Sequence, residues 1–183
     1  MKMKKLIVVL AAIAVAVAAQ AASVKWTCTN VYKDSTNKSS GVAYLMLESD
    51  VADFSSLAGD KAGINAALAN ALVSYTPETA GTYTLTKTNA ELGLTDATSY
   101  GNAYLVIFDT TTVTDESNFY VTKSVALTTY AGDNTVSLAF GSQATASKNA
   151  DNWASTTGAI PEPTSGLLLL VGAGMLALRR KQK

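Results

Sequence analysis

An apolar run beside a cluster of positive charge closes each end of this chain, and this removes both ends from any globular fold. At the N-terminus Lys2, Lys4 and Lys5 precede an uncharged run from Leu6 to Ala19, and Ala19-Gln20-Ala21 follows. A basic start, an apolar centre and small residues flanking one variable position make a secretory signal peptide, residues 1–21. Cleavage after Ala21 then starts the mature chain at Ala22, with the Sec translocon and signal peptidase as partners. At the other end Thr164 to Leu178 is uncharged and rich in leucine, and Arg179, Arg180, Lys181 and Lys183 come after it. As a helix this segment covers about 22 Å, short of a ~30 Å hydrocarbon core. Snorkelling of the four cations lengthens the effective span, and the same cations hold that end in the cytoplasm. The reading is a transmembrane helix over 164–178 that stops transfer and leaves the middle of the chain outside.

Pro161-Glu162-Pro163 stands directly before that helix. Two prolines restrict φ at two of three positions and bias the residues before them toward extended backbone. GAIPEP therefore reads as an extended, unpaired segment just outside the membrane, as a protease cleft requires. Glu162 resists entry into the bilayer and helps set the depth of the helix. Tripeptide, hydrophobic helix and basic end, in that order over residues 161–183, resemble the PEP-CTERM sorting signal of diderm bacteria. The resemblance implies processing at or near the tripeptide by a membrane-embedded exosortase-type protease. It also implies transient anchoring in the inner membrane, delivery to the cell surface or beyond, and association with extracellular polysaccharide and biofilm. On this reading Ala21, Pro161, Glu162, Pro163, Arg179, Arg180 and Lys181 are the sorting and processing residues. The LPxTG of a sortase tail is absent, and a GPI signal would lack the basic end.

Between the ends the charge is acidic. From Ala22 to Ile160 seven lysines stand against thirteen acids, a net −6 in a chain that sums to zero. Such a domain repels nucleic acid and anionic lipid, and neither is expected as a partner. Its length suits one domain, placed at 22–140. Residues 141–160, opening GSQATASKNADNWASTTGA, are small and polar and read as a flexible linker, with Trp153 as the one residue able to dock back.

The domain alternates like a β protein. SVKWTCTNVY sets Val24, Trp26 and Cys28 on one face and Lys25, Thr27 and Thr29 on the other. GVAYLMLE, GTYTLTK, NAYLVIFD, NFYVTKSVALTTY and NTVSLAF are further strands by composition. Ala131 to Asn134 reads as a turn joining the last two in a hairpin. In GDKAGINAALANALVSYTP, Ile64, Leu68, Leu72 and Tyr75 keep helical spacing, with Asp60 as N-cap and Pro77 past the end. The fold class is mainly β, sandwich-like or mixed, with one amphipathic helix inserted after the second strand. Gly41–Leu45 and Gly101–Leu105 both spell GxAYL, which marks either equivalent strands in related halves or chance convergence.

Reactive chemistry is sparse. Without histidine there is no Ser-His-Asp or Cys-His nucleophile and none of the commonest zinc and iron ligands. Cys28 is the only cysteine, so no intramolecular disulfide forms, and its place beside Val24 and Trp26 predicts burial. Asp109, Asp115 and Glu116, or Asp50 and Asp53, could pair as glycosidase carboxylates, but they lack calcium-loop spacing. Trp26, Tyr44 and Tyr104 could stack on sugar or could be core. Asn37-Lys38-Ser39 is a lone glycosylation sequon. No cofactor or metal is expected. Two classes remain: a non-enzymatic surface or matrix protein, and a small exported carbohydrate-active enzyme or carbohydrate-binding protein. Size and missing chemistry favour the first.

Overall fold

Alternation along SVKWTCT becomes the central strand of a small sheet in the computed structural model, which describes residues 21–157. The expected signal peptide up to Gln20, the expected tail helix and the expected sorting residues from Pro161 to Lys181 lie outside the described residues. The strands are β1 (Ser23–Thr29), β2 (Ala43–Leu47), β3 (Val73–Tyr75), β4 (Thr82–Thr88), β5 (Ser99–Phe108), β6 (Asn118–Val121), β7 (Val125–Thr128), β8 (Thr135–Ser142) and β9 (Ala154–Ser155). One α-helix, α1 (Lys61–Leu68), lies between β2 and β3.

Two sheets form. β1 sits between β4, antiparallel, and β8, parallel. The larger sheet runs β3-β2-β5-β6-β9, with β7 following β6 along the same edge of β5. Val24, Trp26 and Cys28 of β1 share one core with Ala43, Leu45 and Leu47 of β2 and with Ala103, Leu105 and Ile107 of β5. That core is the filling of a sandwich. The opposite face of β5, Tyr104, Val106 and Phe108, packs with Met46, Phe54, Ile64 and Phe119 under α1 and the 3-10 turn Phe54–Leu57. Because β5 is buried on both faces, AYLVIF is apolar without a break. The expected mainly β fold is present, layered as sheet, sheet and helix.

Four local expectations change. The helix begins as read, with Asp60 accepting from the Gly63 N–H at 2.9 Å, but ends at Leu68. Leu72 donates instead to the Leu45 carbonyl at 2.9 Å, and Val73–Tyr75 pairs with β2. Sheet hydrogen bonds at an open edge outcompete a further helical turn, and β-branched Val73 fits a strand. NFYVTKSVALTTY divides into β6 and β7, since five residues from Val121 to Val125 face four from Val106 to Ala103. The turn at Ala131–Asn134 makes no hairpin: β7 pairs with β5 and β8 with β1, so the chain crosses from one sheet to the other there. The expected linker is part of the fold as far as Thr157. Trp153 Nε1 donates to the Ser147 carbonyl at 2.7 Å and its ring lies 5.7 Å from Tyr120. Ser147 and Thr156 are fully buried, and β9 extends the large sheet. Small polar residues resemble a tether in composition, but each of these finds a partner.

The GxAYL echo falls on β2 and β5, which pair directly with Leu45 opposite Leu105. Tyr44 and Tyr104 both turn to the helix-covered face, Tyr44 edge-on to Phe108 at 5.8 Å.

Candidate functional site

Three of the five predicted carboxylates, Asp53, Asp109 and Asp115, are already engaged in local structure. Asp109 accepts from the Asn118 backbone N–H at 2.8 Å and from its side-chain amide at 2.9 Å, closing the β5–β6 connection. Asp115 pairs with Lys61 at 3.3 Å, joining that connection to α1. Glu116 is exposed, with its N–H on Thr114 Oγ1 at 3.3 Å. Asp53 caps the 3-10 turn through the Ser55 N–H at 3.0 Å, and Asp50 sits exposed in the preceding turn. Among the described residues no three of Asp, Glu, Cys or His gather as a ligand set.

Trp26 and Tyr104 are core residues, 1% and 4% exposed, and Tyr44 is half-buried. Trp26 and Tyr104 therefore present no stacking face to a sugar. Burial pushes the Tyr104 hydroxyl up to about 12, with the charges of Glu48, Asp53 and Asp50 adding to it. Its O–H donates to the Val51 carbonyl at 2.7 Å. Cys28 is fully buried and its thiol is pushed up to about 12 by that burial, so it behaves as an apolar filler. The sequon is occupied by structure: the Asn37 amide donates to Asp34 at 2.9 Å, and Ser39 is 0% exposed.

What sequence reasoning missed is a cleft beside the end of β6. Its volume is about 520 Å³, and Ser55, Val121, Thr122, Lys123, Asp151 and Asn152 line it. A smaller hollow of about 190 Å³ shares Val121 and Thr122 with it and carries Glu48, Asp53 and Ser124. The cleft exists because β9 covers only Asn118 and Phe119 of β6. Thr122 donates to Leu105 across β5 at 3.0 Å, so the alternate residues Val121 and Lys123 turn their backbone groups away from β5, toward the open side. Hydrogen bonds from Ser124 and Asn102 hold the Glu48 carboxyl below the usual range. No local motif could have announced the cleft, because its residues come from four separate stretches of chain.

Ala21 is exposed while Ala22 is buried, its carbonyl accepting from the Asn89 N–H at 2.8 Å. The bond expected to be cut is thus where the chain enters the fold.

The described residues define a mainly β domain of two sheets and a helix, with Asp53, Asp109 and Asp115 committed to a cap, a loop closure and an ion pair. Residues 159–182, just beyond it, match the family model for the PEP-CTERM protein-sorting motif. The chain therefore carries the sorting signal its tail resembles, and that motif implies an exported protein handled by an exosortase at the membrane. A search of curated proteins and a search of solved structures each return no match.

Proposed function

We propose that the domain is a non-enzymatic, structural or adhesive component of the cell surface or extracellular matrix, delivered by its C-terminal signal and associated with exopolysaccharide. The observation that carries this reading is the commitment of Asp53, Asp109 and Asp115 to capping, loop closure and an ion pair. A glycosidase needs two carboxyl groups facing one another across a substrate. The cleft beside β6 supports a second reading, that of a saccharide-binding protein, because its size and mixed amide, hydroxyl and charged lining suit a small polar ligand.

In this reading Pro161-Glu162-Pro163 is the processing signal, the helix 164–178 anchors it, and Arg179, Arg180 and Lys181 hold the anchor by refusing to cross. Signal peptidase acts after Ala21. The test is to express the full chain in a host with the cognate exosortase and apply the exported product to a polysaccharide panel, scoring retention and release of reducing sugar. Retention without cleavage supports the matrix reading. Cleavage that disappears in Glu48→Gln or Asp53→Asn would establish an enzyme instead.

A further inference from the structure

We infer that β8 is a self-association edge, on which a second copy of this chain adds its own β8 antiparallel about a two-fold axis at Ser137. The inference is independent of any carbohydrate binding.

The hydrogen-bond inventory of β8 is the starting point. Ser23 donates to the Asn134 carbonyl at 3.1 Å, and Gln143 donates to the Thr29 carbonyl at 2.9 Å. In this parallel register the backbone groups of Val136 and Leu138 meet β1, and those of Thr135, Ser137 and Ala139 point away from it. Among the described residues nothing donates to or accepts from those outward groups. The side chains of Thr135, Ser137 and Ala139 are small and exposed, so nothing bulky keeps another strand at a distance.

Exposed edges invite pairing, and proteins blunt them with charge, proline, brevity or a bulge. The other outer strands follow that rule. β3, β7 and β9 span only three, four and two residues. β4 carries Lys87 paired with Glu91 at 2.9 Å, Glu91 also takes the Thr88 N–H, and the Thr82 N–H is taken by Thr79. β8 has eight residues, TVSLAFGS, without a charge or a proline. Its bulge lies past Ala139, which leaves Thr135–Ala139 regular. In a domain of net charge −6, an uncharged edge is the place where two copies meet with least repulsion.

Pairing about Ser137 sets Thr135 opposite the partner's Ala139 and forms about six backbone hydrogen bonds. The area buried falls well below the ~1,600 Å² of a standard interface. Free domains therefore associate weakly, more strongly at high salt, and the contact gains weight where membrane tails hold many copies at one surface.

The experiment uses the exported full chain carrying Ser137→Cys. Directly opposed, hydrogen-bonded residues in an antiparallel pair stand ~5.5 Å apart, within disulfide reach, and buried Cys28 does not compete. A disulfide-linked dimer on a non-reducing gel is expected, while Thr86→Cys on the exposed face of β4 stays monomeric. Adding Ala139→Lys to Ser137→Cys should abolish the dimer and leave the melting temperature unchanged. The inference is overturned if Ser137→Cys stays monomeric or cross-links no more than Thr86→Cys. It is also overturned if the two variants cross-link only with each other, which would indicate head-to-tail assembly.

Discussion

Replacing Tyr83 with phenylalanine removes one oxygen from a place where the two sheets are tied together. Tyr83 belongs to β4 of the small sheet and is fully buried. Its hydroxyl donates to the Gly41 carbonyl at 3.1 Å and lies 3.0 Å from Ser39 Oγ, on the segment leading into β2 of the large sheet. That segment cannot shift to compensate. A Cβ on Gly41 would overlap the Phe108 carbonyl and stand 2.8 Å from the Asp109 carbonyl carbon, so the two backbones are in direct contact. Ser39 keeps its bond to the Phe108 carbonyl at 3.2 Å, but Gly41 is left with a buried acceptor and no donor. An orphaned buried polar group costs about 2 kcal/mol, which in a domain of this size lowers Tm by roughly 8 °C. Thermal melting followed by far-ultraviolet circular dichroism measures it, with Tyr130→Phe, at a residue 53% exposed, as the control. A loss no larger than the control's would refute the reasoning, since it would mean the hydroxyl contributes nothing the ring does not.

Alkaline stability tests burial in a second way. Folding raises Cys28 above its ordinary 9.0 to about 12, and Tyr83 above 10.0 to about 12, both chiefly by desolvation. The folded state keeps these protons while the unfolded chain releases them, so the stabilisation is complete below about pH 9 and lost as pH rises toward 12. The slope is up to about 1.4 kcal/mol per pH unit for each group, and Cys28→Ala should move the onset upward; a melting temperature unchanged from pH 8 to 11 would contradict this. Trp153→Ala should loosen the segment from Gly141 to Thr157 by about 2 kcal/mol, seen as new protease cleavage there before global unfolding. Replacing Pro161, Glu162 and Pro163 together with alanine should leave export intact and the tail attached, read as a longer species in the inner-membrane fraction; trimming like the wild type would make the tail an anchor only.

Strand positions were legible because burial imposes a period of two on a half-buried strand, and β1 shows it residue by residue, with Val24, Trp26 and Cys28 inside. The Asp60 cap was legible for a similarly local reason: a side-chain oxygen three residues before an N–H needs no distant partner. The tail was more legible still, since its motif is written in consecutive residues, and the family model matches it at residues 159–182. The length of α1 was not legible, because Leu72 satisfies helical spacing and strand pairing equally, and the free edge of β2 decided between them.

What this sequence determines by itself is therefore whatever depends on neighbours along the chain: the mainly β class, the helix start, the exported acidic domain and the sorting motif at its end. Tertiary structure alone decided which strands meet. It split β7 and β8 between two sheets where a turn suggested a hairpin, folded the supposed linker onto β6, and left a cleft beside β6 and an open edge on β8. Pairing partners satisfy each other's backbone hydrogen bonds across long stretches of sequence, and backbone groups are the same in every residue, so composition cannot say which partner they will find.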